Sequence, residues 1–543
     1  PLHYSNDDDL PPGNATPTVM TVEGDVIARG FGHLLFSQVS SRLVTFVLNV
    51  LVVRRLPPEV YGIAVIQFHL ITTTILTFSR EGVRRACLRG VQLGNKSEPD
   101  FKSIVPLSWF CVPQGLFWSV VVCSIVYAFS GEGVGADDGS YTLGVLLHGL
   151  AAFIETLSEP PYIMSTCLLV FKLQVTVETA ASIAKCFATL IFLLPALKIP
   201  PLVAFGLAAL VYSSTLLVGY WSYFLYKGKM RDMVSLRYLA LRRVGDIEGP
   251  MLSAYSSFTF QAIEKHFLGE GEKFVMAVFQ PPYDQGVYGL VNNLGSIVVR
   301  TAFQPFEQAI FTAFSMSNKK EEKVDSRQGQ ADLLTLIVKL VIVFAGICIA
   351  FGPSYSFSVL WFSYGKKWAL TEAPRILSVY CFYISSMALN GVTEAFMHAT
   401  ADEAALKQIN ISLVIFSVLH SLISVALVKT GGTAGLVLAG CLSMLIRVGY
   451  CFVYTSKYFS HAKYSPRSTV PSPTSMLFLL VSAAAVYASE KIHVENREDV
   501  ALGAILKHVS FGGAVGLTLL YVLYRSERDL LRSLAEFRKK KNV

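Results

Sequence analysis

Charge is what this sequence has least of. Lys, Arg, Asp and Glu together make up 15% of its 543 residues, against 53% hydrophobic ones, and mean hydropathy is +0.50. Soluble domains carry about a quarter charged residues, so a water-solvated globular domain is excluded and the bilayer is the expected solvent. A cleavable signal is missing too. Residues 1–28 hold Asp7, Asp8, Asp9 and several prolines rather than a basic start followed by an apolar core, and they read as a disordered cytosolic tail. The nine cysteines show no paired spacing, which argues against a disulfide or metal framework and for buried free thiols. No P-loop occurs, so no nucleotide site in this chain is expected to power it, and no metal or other cofactor motif stands in its place. Asp137 and Asp138 sit in a short loop beside Gly135 and Gly139 without partner carboxylates, where turn chemistry explains them better than a glycosyltransferase acid site.

What is present is a series of apolar runs. Spanning ~30 Å of hydrocarbon takes about 20 residues. On that rule we read about fourteen transmembrane helices in an all-α integral membrane protein. Six are expected at 31–53, 60–80, 103–129, 141–166, 173–196 and 200–226. Six more fall at 252–279, 286–315, 332–352, 369–396, 405–428 and 432–456, and two at 472–489 and 502–524. Loops after even-numbered helices are basic, as at Arg80 to Lys102 and Lys227 to Arg243, and the tail Arg538 to Lys541 continues the pattern. The positive-inside rule then puts both termini in the cytosol. The net charge of +8 is therefore topological, and the basic runs read as flanks beside anionic lipid, with no nucleic-acid partner.

The chain echoes itself. Val60-Tyr61-Gly62-Ile63 follows Pro57-Pro58, and Val287-Tyr288-Gly289-Leu290 follows Pro281-Pro282, an offset of 227. Glu159 precedes Lys172 by thirteen positions and Glu394 precedes Lys407 by the same interval, an offset of 235. The helix count therefore divides as two pseudo-symmetric six-helix lobes, 29–230 and 251–458, joined by a basic cytosolic linker at 231–250. Two extra C-terminal helices at 459–525 and a basic cytosolic tail at 526–543 complete the chain. Duplicated membrane helices with charges at matching depths point to a transporter.

Polar residues recur at helical spacing inside three apolar helices: Gln38, Arg42, Thr45 and Asn49; Thr73, Thr77, Arg80 and Arg84; and Asn293, Ser296, Arg300, Gln304 and Glu307. A central Arg costs about 2.5–3.5 kcal/mol in lipid even on the forgiving insertion scale, so these faces are expected to meet protein or a wet cavity. Guanidinium forks suit phosphate or pyrophosphate, which makes Arg42, Arg84 and Arg300 candidate ligands of such a group. Asn49, Asn293 and Gln304 are candidates for sugar hydroxyls. His148, Glu155 and Glu159 share a face of the fourth helix, and Glu178 and Lys185 a face of the fifth. Glu159–Lys172 and Glu394–Lys407, near the cytosolic ends of their helices, are expected to be ion pairs that clamp or gate equivalent corners of the lobes; interhelical glue is the plainer reading.

Several strings resemble the eukaryotic Rft family. They are Ser41 to Asn49 (SRLVTFVLN), Arg80 to Cys87 (REGVRRAC), Glu155 to Glu178 and, most closely, Asp284 to Glu307 (DQGVYGLVNNLGSIVVRTAFQPFE), followed by Asn390 to Phe396. The resemblance runs collinearly from about residue 30 to about 460. It implies the V-shaped two-lobe fold of the multidrug, oligosaccharidyl-lipid and polysaccharide exporters and residence in the endoplasmic reticulum membrane. It also implies a role in moving a dolichyl-pyrophosphate-linked mannose oligosaccharide to the lumenal leaflet for N-glycosylation. Arg84, Lys172 and Glu307 are the positions it marks as important. A non-transporting scaffold or lipid-binding factor of the same pathway, and a drug or cation antiporter of the same fold, stay open as alternatives; the latter would be coupled through Glu159 or Glu394.

Overall fold

The computed structural model describes residues 46–93, 101–129, 139–168, 170–230, 249–318, 324–460, 462, 464–495 and 497–528. Among these residues every regular element is helical. The tail expected over 1–28, Arg42, the linker up to residue 248, the Asp137-Asp138 loop and the tail beyond 528 lie outside them.

Residues 46–53 form the end of α1. α2 continues from Pro58 to Leu93 as Pro58–Gly62, Phe68–Leu76 and Gly82–Leu93, joined by π turns at Ile63–Gln67 and Thr77–Glu81. α3 comprises Phe101–Trp109 and Cys111–Phe129; α4 comprises Ser140–Thr156 and Glu159–Cys167, bent by 41°. Then come α5 (Phe171–Phe192), α6 (Pro201–Met230) and α7 (Gly249–Phe279). α8 runs through Pro282–Val298, a π turn at Val299–Phe303 and Gln304–Asn318, ahead of α9 (Val324–Tyr364) and α10 (Ala373–Thr400). The helical run Glu403–Tyr458 breaks at Gly432, where φ is +56°, and folds back so that Gly435 abuts the Leu427 carbonyl. Its arms are α11 and α12. α13 (Pro473–Val494) and α14 (Leu502–Ser526) close the series. Among the described residues nine helices are long and apolar enough to cross a membrane, or ten if the bent α4 is one span. The chain is a multi-pass membrane protein.

The repeated prolines have a local reason. Pro57 and Pro281 are extended caps, and Pro58 and Pro282 begin α2 and α8, where a fixed φ suits the first turn and no N–H is missed. The packing reason appears in three dimensions, because the two echoes lie against each other. A Cβ on Gly286 would overlap the Pro58 carbonyl, and one on Gly62 would overlap the backbone of Pro282 and Gly286. Gly289 faces Val65 and Tyr61. Around this crossing Trp368 Nε1 donates to the Val53 carbonyl at 2.9 Å, and its ring meets Tyr61 edge-on at 5.6 Å. Arg54 Nε donates to the Ser363 carbonyl at 2.6 Å and Nη2 to Phe362, supplying protons to orphan carbonyls at the end of α9. The halves thus share one apolar core through Val52, Tyr61, Tyr288 and Trp368. This is the end of the bundle expected to face the lumen.

The last hairpin is tied down by Glu527, which accepts from Ser472 N at 2.7 Å and Ser475 Oγ at 2.8 Å and pairs with Lys339 at 2.6 Å. Because Gly286 has no room for a methyl group, Gly286→Ala is expected to lower stability by about 1–3 kcal/mol in thermal unfolding of the purified protein. Gly269→Ala, where nothing stands within 4 Å, is the control and leaves it unchanged or higher.

Candidate functional site

The first half closes its charges into a knot. The Pro160-Pro161 pair ends one segment of α4 and starts the next, and Glu159 sits in the resulting bend, 1% exposed. Arg84 holds it with both arms of its fork, Nε to Oε2 and Nη2 to Oε1, each at 2.7 Å. Arg80 Nη1 reaches Glu159 at 3.2 Å and Glu155 at 2.5 Å, and the Arg84 guanidinium lies 3.9 Å over the Tyr162 ring. Two buried carboxylates therefore meet two guanidiniums, with Glu81 at the rim. The π turn Thr77–Glu81 inserts an extra residue and rotates the next turns of α2, so Arg80 and Arg84 face α4 while Thr72 and Thr73 face a cavity.

That cavity, of about 580 Å³, is lined by α1, α2, α4, α5 and α6, with Asn293 from α8. Its polar groups include Asn49, His69, His148, Glu155, Lys185 and Asn293. Among the described residues no carboxylate lies within ion-pair distance of Lys185, whose ammonium stands 5.6 Å from the Tyr212 ring. His148 Nδ1 bonds the Gly144 carbonyl at 2.8 Å and the ring stacks on Phe68, so it is the hydrogen-bonded interior histidine its position suggests. Asn49 Oδ1 accepts from Cys186 Sγ at 3.7 Å, and Asn293 Nδ2 donates to Tyr61 Oη at 2.7 Å, across the two halves.

The second half holds a larger cavity of about 760 Å³ between α8, α10 and α12. Gln304, Glu307, Gln308, Asn390, Glu394 and His398 are its principal polar lining. Arg447 Nη2 donates to both oxygens of Glu394, at 2.7 and 2.6 Å, Asn390 Nδ2 adds a bond at 2.8 Å, and His398 lies 3.6 Å away.

The expected Glu159–Lys172 and Glu394–Lys407 ion pairs are therefore replaced. Both glutamates take arginines from other helices, while Lys172 and Lys407 are exposed at the starts of α5 and α11. The reason is burial: a carboxylate sunk in the bundle is served by a guanidinium fork beside it, and a lysine at a helix start reaches solvent instead. Of the three candidate arginines, Arg42, Arg84 and Arg300, only Arg84 has a described side chain, and it does not line either cavity. Arg84 is committed to Glu159, and Arg42 and the Arg300 side chain lie outside the described residues. Asn49 and Asn293 do share the first cavity, and Gln304 and Glu307 line the second.

Sequence reasoning gave no role to the charges of α7. Lys273 bonds Glu270 at 2.7 Å and His69 of α2 at 2.8 Å. Glu272 accepts from Tyr288 and, at 3.3 Å, from Tyr383, with His420 at 3.1 Å. The available signal was the density of charge itself: Glu264, Lys265, Glu270, Glu272 and Lys273 in one expected span.

A polytopic helical bundle with a duplicated core and polar cavities in both halves has the fold of a membrane transporter. It is similar to the lipid II flippase MurJ in its inward closed conformation, with a TM-score of 0.62 at 12% identity, covering 91% of this chain and 98% of that one. It is similar also to an inward-facing multidrug resistance MATE family transporter of the MOP superfamily, with a TM-score of 0.54 at 11% identity, covering 77% and 96%. The chain belongs to the Rft protein family, whose profile matches residues 27–536. Relatives include the Man(5)GlcNAc(2)-PP-dolichol translocation protein RFT1 of Dictyostelium discoideum, 32% identical over 452 residues, covering 76% of this chain and 83% of that protein. Its namesake in Xenopus tropicalis is 30% identical over 513 residues, covering 91% and 93%.

Removing one member of the charge knot leaves a guanidinium short of its counter-ion. Glu159→Gln is accordingly expected to cost about 3–5 kcal/mol, seen as a lower melting temperature and lower abundance in membranes. Lys172→Gln and Lys407→Gln are expected to leave the melting temperature where it is.

Proposed function

We propose that this protein moves the polar head of a dolichyl-pyrophosphate-linked mannose oligosaccharide from the cytosolic to the lumenal leaflet of the endoplasmic reticulum membrane, for protein N-glycosylation. The observation that carries the reading is the first-half cavity, where Lys185 stands among Asn49, His69, His148 and Asn293, while the one carboxylate of the described lining, Glu155, is taken up by Arg80 and no carboxylate among the described residues is within ion-pair distance of Lys185. It is supported by relatives named for translocating Man(5)GlcNAc(2)-PP-dolichol. An unpaired ammonium in a cavity is matched by an anion such as pyrophosphate, and the surrounding amides and hydroxyls by the polar groups next to it.

In this reading residues 29–230 and 251–458 are the two lobes, 231–250 links them on the cytosolic side, 459–525 forms the two extra helices, and both termini are cytosolic. Arg42 and Arg300 are the further candidate ligands of the pyrophosphate, and Gln304 takes sugar hydroxyls in the second cavity. Arg84 and Glu159 hold α2 to α4 so that these groups keep their places. The seam from Arg54 to Trp368 closes the lumenal end, so the head enters from the cytosol while the polyprenyl tail stays in lipid, and rocking of the lobes alternates access.

The test is purified protein reconstituted into vesicles with a labelled pyrophosphate-linked glycolipid, beside a working control flippase. Lys185→Gln is expected to slow transbilayer movement about tenfold at equal folding, a loss of ~1.4 kcal/mol, while Lys185→Arg retains most of it. Wild-type vesicles that move the lipid no faster than protein-free ones would sink the transport reading and favour a scaffold. Movement of organic cations in place of the glycolipid would favour an antiporter.

A further inference from the structure

The two halves treat their repeated carboxylate differently. The offset of 227 carries Arg80 onto Glu307 and Arg84 onto Phe311; the offset of 235 carries Glu155 and Glu159 onto Asn390 and Glu394, and Tyr212 onto Arg447. The glutamate of α4 thus survives in α10 as Glu394, but the cations that neutralise it in the first half have become an acid and a phenyl ring. Arg447 restores one positive charge from α12 and spends it on Glu394. Glu307 is left over. Its carboxylate lies against α10, where a Cβ on Gly391 would overlap it, one turn before Glu394. Among the described residues no cation lies within ion-pair distance of it.

A second, independent feature marks the same place. Asn390 is 6% exposed, and while its Nδ2 serves Glu394, its Oδ1 is buried with no hydrogen-bond partner among the described residues. A buried amide oxygen left bare costs about 1–3 kcal/mol. Glu307, Asn390 and Glu394 share the 760 Å³ cavity. Among the described residues the site is one positive charge short, and it supplies carboxylate and amide oxygens, the donor set of hard cations.

We propose that Glu307 and Asn390 bind a small monovalent cation, a proton or Na+, which takes the place that Arg80 fills permanently in the first half. Where the first lobe has a fixed charge, the second has an exchangeable one. A carboxylate that moves between leaflets with an occupied site is neutral, and one without is not, so occupancy biases which way the lobes close. Among the described residues the other titratable or charged groups facing the site are Glu394, His398 and Arg447. The assignment rests on the transporter reading only for its coupling role; binding itself stands or falls separately.

Binding is therefore measured without transport, on the full-length protein in detergent. Its melting temperature is followed with NaCl against choline chloride at constant ionic strength, and in Na+-free buffer across about pH 5 to 8. The wild type is expected to gain stability from Na+, or from acidification if the ligand is a proton. Glu307→Gln is expected to lose that response and to show the stability of the loaded wild type, since the neutral amide stands in for the occupied carboxylate. Asn390→Leu raises the half-saturating cation concentration about tenfold and Asn390→Asp lowers it, a pair that keeps the test readable if Glu307→Gln fails to fold. Glu490→Gln, on the far hairpin, keeps the wild-type response. A wild type that melts alike in both salts and at every pH, or a Glu307→Gln protein that responds as the wild type does, overturns the proposal.

Discussion

Every carboxylate carried into this bundle has to be met by a positive charge or a proton donor, because hydrocarbon offers none. Much of the architecture comes from how that need is served. Glu159 draws Arg80 and Arg84 of α2 onto the bend of α4, Glu394 draws Arg447 of α12 onto α10, and Glu272 draws Tyr288, Tyr383 and His420 around α7. Each set ties together helices that are distant in sequence. Apolar packing alone would give such helices little reason to choose one neighbour over another in lipid, where the hydrophobic effect does not distinguish helix from solvent.

The duplication sets where the halves touch. The two proline-started helices cross through Gly62 and Gly286, the residues that let backbones come within van der Waals distance. Trp368 and Arg54 then seal the same end with bonds to main-chain carbonyls. Parting the halves at this end means breaking those bonds and opening the apolar core that Val52, Tyr61, Tyr288 and Trp368 share. The charge knot of the first half is a different kind of contact, sunk in the interior with both oxygens of Glu159 bonded, and it ties α2 to α4 within that half.

The expected spans from 60–80 onward each overlap an observed helix, because long apolar runs bounded by Pro, Gly and charge are dictated by the bilayer itself. Side-chain partners were harder to read. The stripe Thr73, Thr77, Arg80 and Arg84 has regular helical spacing, yet the π turn at Thr77–Glu81 turns its lower half away from the cavity. Glu159 and Lys172 have a repeated interval, but the bend at Pro160-Pro161 points the carboxylate inward and leaves the lysine outside. Lys185 and Glu155 were visible as polar positions on helix faces; that both line one cavity, the second tied to Arg80 and the first without an ion-pair partner among the described residues, depends on helices far away in the chain.

Residue order alone determines the solvent, the helical class, the repeat and the short inventory of charges that must be accommodated. Those properties are local: they depend on runs of about 20 residues and on spacing within one helix. Which arginine is consumed as a counter-ion, and which lysine and glutamate stand without one among the described residues, were decided only when α2 met α4 and α8 met α10. Neutralisation is a property of a pair, and the arginines that serve Glu394 and Glu159 lie 53 to 79 positions from them in the chain.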